Sequence, residues 1–384
     1  MKVKRIGILT GGGDVPGLNT LIHDIAIRGY YEKIEVLGIR RGWGGLIFMD
    51  PDGKADDSEH VHILNRKDVR TIDRTGGTIL HTSRTNPINV FHNADLKKYR
   101  GIVLKKETDM TDDVIKNIER LGLDVLIAIG GDDTLSFAVH LKECGINIIG
   151  IPKTMDNDVY GTEYTIGFST AISKSANLLN DLRTPMGSHE RFGIVELFGR
   201  YSGFTALYTG YVSREVRVLI PEHDFDPDKL VELLVYDREN NPRNYAVVIV
   251  SEGAKPIGGK VIEGGNKDQY GHKKLGGIGH VVADFLVQKT GYLTIVQLLS
   301  YFMRSGAPDA VDKLVAGFFA NIAMDSIINK EFGIMTAIVD GKYATVPIEM
   351  VNEKKRVVDV DRYYNVERYR PNFSNMKGLP LFLQ

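Results

Sequence analysis

One cysteine, Cys144, is all that 384 residues carry. No disulfide can form within the chain, and such usage fits a reducing compartment. Long apolar runs are missing too: segments such as Ala246–Val250 are far too short to span a bilayer. From Met1 the chain passes through a short apolar stretch, Ile6–Leu9, straight into glycines, which is no secretory leader. A cytoplasmic location without a membrane partner is expected. Excess positive charge is also absent. The 48 Lys and Arg stand against 49 Asp and Glu, for a net charge of -1, so a nucleic-acid partner is not expected. No histidine shows metal-ligand spacing, and no tandem repeat or low-complexity tract is visible.

What is present is length and alternation. A 43% hydrophobic chain of this size can bury a large core and predicts two domains. Short β-rich runs are predicted at Arg5–Leu9, Glu35–Ile39, Val125–Ile129, Asn147–Ile151, Phe192–Leu197, Arg217–Ile220 and Ala246–Val250. Helices are predicted around Leu18–Tyr31, Thr134–Glu143, Thr170–Leu182, Asp228–Leu234 and Gly279–Gln288. Val125–Ile129 is apolar throughout, as in a parallel strand covered on both faces. The alternation implies doubly wound α/β domains, which bind ligands beyond the carboxyl ends of their strands. Gly258–Gly277, rich in glycine and lysine, reads as a mobile loop, with a basic flap over an anionic ligand as the alternative.

Four turns follow predicted strands. Thr10-Gly11-Gly12-Gly13-Asp14-Val15-Pro16-Gly17 offers bare backbone amides and a helix N-terminus to an anion, with Pro16 suited to a first helical turn. Its third glycine position is taken by Pro16, and Arg40 and Arg41 end the second strand where a ribose-binding carboxylate belongs. A dinucleotide fingerprint is thereby disfavoured, although two arginines could meet a 2′-phosphate. No Gly-Lys-Ser/Thr ending marks a P-loop. Gly130-Gly131-Asp132-Asp133 places carboxylates beside a potential phosphate, an arrangement that invites Mg²⁺; read alone, either aspartate could simply cap the next helix. Lys153-Thr154-Met155-Asp156-Asn157-Asp158 sets two carboxylates and a lysine in a crevice position, where an idle charge is costly. Phe198-Gly199-Arg200 ends another strand in an anion-binding arginine.

Together with Gly76-Gly77-Thr78…Ser83-Arg84, Gly167-Phe168…Thr170-Ala171, Ser188-His189…Arg191 and Arg304-Ser305-Gly306…Pro308, these turns resemble, in order, the motifs of phosphofructokinases. The resemblance spans roughly residues 4–320. It implies two similar doubly wound, Rossmann-like α/β domains facing an active-site cleft. The boundaries expected are 1–166 plus about 303–355 for the phosphoryl donor, and about 167–302 plus 356–384 for the sugar phosphate. The implied reaction is phosphoryl transfer to the 1-hydroxyl of fructose 6-phosphate. Asp156 would be the base, supported by Thr154 and Asp158, with Arg200 and the Gly199 backbone near the reacting groups. Asp132 would serve Mg²⁺, while Gly13 and Arg84 hold the donor. Arg191 would reach the sugar phosphate of a neighbouring subunit, and Glu222, Phe198, Tyr301 and Arg304 that of their own, implying a homodimer or homotetramer. Such chemistry needs positioning, charge neutralisation and one base.

Two positions bear on the donor. ATP-using members place glycine at Asp133 and at Lys153. An aspartate side chain crowds and repels the α-phosphate of a nucleotide, whereas a lysine can meet a terminal oxygen of pyrophosphate. The pair resembles the pattern of pyrophosphate-dependent members. An ATP-dependent enzyme and a non-catalytic sugar-phosphate-binding subunit are the competing readings. The second would have been signalled by loss of Asp132 or Asp156, and both are present.

Several family positions differ. Tyr301 replaces a frequent histidine but keeps a hydroxyl, and Phe198 a frequent methionine. Ile295 stands where a second inter-subunit arginine is usual, which admits a longer acceptor such as sedoheptulose 7-phosphate. His23 and Ile27 replace effector-binding arginines, so that form of allosteric control is not expected. Trp43 is expected near the donor site or in the core, and His189 as a hydrogen-bonding neighbour of Arg191.

Overall fold

The computed structural model describes residues 2–54, 56–91, 94–264 and 274–378. Of the loop expected over Gly258–Gly277, residues 265–273 lie outside the described residues. Strands β1 (Arg5–Thr10), β2 (Glu35–Ile39), β3 (Val61–Ile63), β4 (Val125–Gly130) and β5 (Ile148–Pro152) enter one sheet. The chain then builds a second sheet from β6 (Phe192–Leu197), β7 (Arg217–Leu219) and β8 (Ala246–Ser251). The short β9 (Glu263–Gly264) and β10 (Lys274–Leu275) pair with each other, and β11 (Thr294–Leu298) completes the second sheet. Finally β12 (Ile334–Val339) and β13 (Lys342–Pro347) return to the first.

The spatial orders are β13-β12-β5-β4-β1-β2-β3 and β11-β6-β8-β7. The second sheet is parallel throughout. The first is parallel apart from its two edge strands, β3 and β13. This is the α/β architecture expected from the alternation. In the first sheet the order reverses around β1, with β2 on one side and β4 on the other, so a crevice opens beyond their carboxyl ends.

Alternating side chains explain the unbroken apolar run of β4. Ile127 and Ile129 face a core shared with the helix Leu18–Glu32, while Leu126 and Ala128 face the opposite core with Trp43 and Phe137. All are fully buried or nearly so, and truncating Ile127 to alanine is expected to cost about 2–5 kcal/mol. Trp43 is thus a core residue; its indole N–H donates to the Thr134 carbonyl at 3.3 Å.

Two helices depart from their predicted bounds. Asp132–Glu143 begins two residues before Thr134, because Gly131 takes the N-cap and two aspartates suit the positive first turn. Phe168–Ser188 runs through Pro185 well past Leu182, carrying the fully buried Met186 into the core. Pro16 precedes its helix, which starts at Leu18 with Gly17 as N-cap. The helix Ala310–Asn329, capped by Asp309, closes on Leu18–Glu32. Among the described residues no helix is long and apolar enough to cross a membrane.

Candidate active site

The carboxyl ends of β1, β4, β5, β6 and β8 all open on one cavity of about 910 Å³. Gly12, Gly13 and Asp14 line it after β1, Asp132 and Asp133 after β4, and Lys153, Thr154, Asp156 and Asp158 after β5. Phe198 and Arg200 enter after β6, with Arg84, Tyr301 and Arg304. The structure therefore brings together twelve of the fifteen residues expected at the site. Gly199, Arg191 and Glu222 do not line the cavity.

The first turn is tied down on both sides. The Gly11 amide donates to Ile129 O at 2.9 Å and the Gly12 amide to Ser83 O at 3.0 Å. At Gly13 a Cβ would sit 2.5 Å from the Arg304 guanidinium, so any side chain there would displace the arginine head. Lys153 lies buried beneath the turn and its ammonium donates to Gly13 O at 2.6 Å. Arg304 also reaches Asp14 at 3.4 Å and stacks over the Tyr301 ring at 4.6 Å. The guanidinium expected at a sugar phosphate thus abuts the glycine turn as well. Neither aspartate at the head of Asp132–Glu143 caps it; the Asp132 carboxylate accepts from the Asp133 amide at 3.0 Å.

Asn157 explains why two aspartates flank an asparagine. It is fully buried in the left-handed region (φ 55°), its amide donating to Glu163 O at 3.1 Å and accepting from Thr165 N at 2.9 Å. That anchor presents Asp156 and Asp158 to the cavity. The Asp156 amide donates to Thr154 Oγ1 at 3.2 Å, while its carboxylate Oδ1 is buried without a partner. An orphan acceptor in a cavity is costly unless a ligand completes it.

Gly199 holds the cavity wall from behind. Its φ of 140° and a would-be Cβ contact of 2.3 Å with Ser251 leave room for glycine only. Its carbonyl accepts from Ser251 Oγ at 2.7 Å and from the Gly253 amide at 3.1 Å. Arg191 stands just before β6, at the end of that strand away from the cavity, its amide donating to Met186 O at 3.0 Å.

Glu222, the carboxylate expected at the sugar phosphate, lies outside the cavity lining, with Oε2 buried without a partner. It accepts from the Gly203 amide at 2.8 Å and the Val358 amide at 2.9 Å, pinning the C-terminal segment. Glu252, directly after β8, does line the cavity. The signal for it was the same one that found the other turns, an apolar strand running into Ser251-Glu252-Gly253. Two other lining residues, Gly276 and Lys355, carried no such pattern, while Glu196 opens the turn that holds Phe198 and Arg200. Glu196 is buried and accepts from the Gly277 and Gly279 amides at 3.0 and 2.8 Å, fixing the start of the helix Ile278–Thr290.

Burial shifts the charges. Desolvation, then repulsion from Asp158 and Glu252, raises Asp156 well above the usual carboxylate range. Burial and repulsion from Asp132 push Asp158 to about 6. Glu252 rises to about 7 through burial, with Arg200 acting against it. Lys153 falls to about 8, through burial first and then the cations Arg304 and Arg84. A cationic cradle on glycine backbone beside a buried carboxylate of raised basicity is suited to moving a proton next to a polyanion.

The phosphofructokinase family model matches residues 5–327. The pyrophosphate–fructose 6-phosphate 1-phosphotransferase of Thermoproteus tenax is 37% identical over 371 residues, covering 96% of this chain and 99% of that protein. The ATP-dependent 6-phosphofructokinase 3 of Streptomyces coelicolor is 35% identical, covering 94% and 99%. A crystal structure of a pyrophosphate-dependent phosphofructokinase from Nitrosospira multiformis shares the fold, with a TM-score of 0.75 at 18% identity over 96% of this chain and 89% of that one. The chain belongs to the phosphofructokinase family.

Proposed function

We propose that this chain transfers a phosphoryl group from pyrophosphate to the 1-hydroxyl of fructose 6-phosphate, reversibly, giving fructose 1,6-bisphosphate and phosphate. The observation that carries the donor choice is the buried Lys153 ammonium, fixed at 2.6 Å to Gly13 O and facing the cavity that Asp133 also lines. A compact cation under the glycine turn suits a terminal pyrophosphate oxygen. Asp133 narrows and charges the space that the α-phosphate and ribose of a nucleotide would need.

Asp156 takes the hydroxyl proton. As the oxygen attacks the nearer phosphorus, the bridging P–O bond breaks and phosphate leaves. Its raised basicity matches a general base working near neutral pH. Arg200, Arg84 and Lys153 neutralise the equatorial oxygens. Asp132, with Asp158 close enough to feel its charge, fits Mg²⁺. Such an ion is commonly held by one or two carboxylates plus substrate phosphates. When bound, Mg²⁺ would offset the donor's negative charge. Tyr301, Phe198, Arg304 and Glu252 hold the sugar phosphate, with Glu252 in the place first given to Glu222. The neighbouring subunit's copy of the Arg191 position completes the site in a homodimer or homotetramer. The donor side comprises 1–166 plus about 303–355, and the acceptor side the remainder. The loss of an arginine at Ile295 leaves sedoheptulose 7-phosphate as a further acceptor.

An ATP-dependent reaction is the second reading, favoured by relatives such as the one from Streptomyces coelicolor. The test is the rate of fructose 1,6-bisphosphate formation with Mg²⁺ and either donor. Turnover with pyrophosphate and little with ATP is expected; turnover with ATP alone would replace this reading by the second.

A further inference from the structure

The segment after β13 lies beyond the family match, which ends at residue 327, yet it reaches the cavity. Arg356 pins it to the aspartate loop. Its amide donates to Asp158 O at 3.0 Å, and its guanidinium donates to Asn157 O at 2.8 Å and lies 4.2 Å over the Phe204 ring. Val358 ties it again through Glu222. Directly before these anchors Lys355 lines the cavity, its ammonium 2.7 Å from Asp132 Oδ2 and 4.4 Å over the Tyr201 ring.

We propose that Lys355 is a donor-site residue: it holds the Asp132 carboxylate while the site is free of ligand, and contacts a terminal phosphate oxygen once metal and pyrophosphate arrive. The assignment rests on the pyrophosphate reading above. Three carboxylates, Asp132, Asp133 and Asp158, share this part of the cavity, and a cation there offsets their mutual repulsion. The segment is already anchored by Arg356 and Val358, so the ion pair is not needed to hold it. Lysine suits the exchange, because its flexible stem and three donors let the head move from one oxygen to another. The Tyr201 ring under the ammonium gives it an uncharged face to move across.

The test uses the full chain with K355M and K355R. Pyrophosphate binding is measured by calorimetry with Mg²⁺, and binding of Mn²⁺ alone by its electron spin resonance signal. K355M is expected to weaken pyrophosphate binding about 10- to 100-fold, the worth of one hydrogen bond to a charged group. It should tighten Mn²⁺ binding several-fold, since a competing cation has gone, and leave the KM for fructose 6-phosphate within about twofold. K355R should recover much of the pyrophosphate affinity. K355M binding pyrophosphate like the parent would overturn the assignment. So would loss of thermal stability with equal losses for both substrates, the mark of a structural residue. A parent chain that binds no pyrophosphate would remove the donor reading and this inference together. A parent that binds it beside an unaffected variant removes this inference alone.

Discussion

The two sides of the cavity are built differently. The side proposed for the donor is made of short contiguous turns at the ends of adjacent strands: Gly11–Asp14 after β1, Asp132 and Asp133 after β4, Lys153–Asp158 after β5. Neighbouring residues in sequence are neighbours in space there, because parallel strands side by side deliver their turns to one edge. The side proposed for the acceptor gathers single residues from distant places: Phe198, Glu252, Leu275, Tyr301 and Arg304. A motif describes the first kind of site well and the second poorly. The donor side also crowds charges of both signs, a buried ammonium lowered to about 8 and a carboxylate raised to about 6, where the acceptor side has the single carboxylate Glu252 raised to about 7. The largest functional losses should therefore follow changes in the contiguous turns, and smaller ones changes on the scattered side.

The largest expected effect is at Asp156. Replacing it by asparagine removes the base while keeping shape, and kcat should fall about 10²- to 10⁴-fold with a small change in either KM. A kcat within tenfold of the parent would assign the proton to another group.

Next comes Lys153. Its charge is present below about 8 and lost above, so the KM for pyrophosphate should rise as pH passes from 7 to 9. K153M should raise that KM about tenfold or more at pH 7 and flatten its pH dependence. A parallel rise in the variant would point to a different titrating group.

On the wall between the two sides, G199A forces a Cβ against Ser251 at a φ of 140°. A loss of about 1–3 kcal/mol is expected from the strain alone, read as a lowered melting temperature with fructose 6-phosphate KM raised. An unchanged melting temperature would show that the wall yields.

The smallest effect is on stability at Glu252. Its carboxyl has a folded-state value near 7 against an ordinary 4.5. Its contribution is therefore fully present below pH 4.5 and lost as pH rises through 7. E252Q removes the buried charge. The melting temperature of the variant relative to the parent should rise by about 2 °C between pH 5.5 and 8, while the KM for fructose 6-phosphate worsens. A difference constant with pH would contradict the raised value.

The same contrast governs what could be read from residues alone. The strands Glu35–Ile39 and Phe192–Leu197 were legible to the residue because apolar runs end at glycine or charge. β11, β12 and β13 were not drawn, since Thr294–Leu298 is only half-buried and Lys342–Pro347 is a mostly exposed edge. The helix Ala310–Asn329 is apolar around much of its circumference and shows no clean stripe. Glu222 and Glu252 each follow a strand of the second sheet, and both accept backbone amides, the first from Gly203 and Val358 and the second from Gly199. Only their three-dimensional placement distinguishes them, since Glu252 alone lines the cavity. Lys355 could not be found locally, because what brings it to Asp132 is the anchoring of Arg356 more than two hundred residues away.

The most direct measurement compares kcat/KM for pyrophosphate with that for ATP, in the parent chain and in D133G/K153G. The account predicts a ratio well above one in the parent and a fall of about 100-fold or more in the double variant, as space and charge for a nucleotide are restored. A parent ratio below one, or a ratio that the two substitutions leave unmoved, would contradict it.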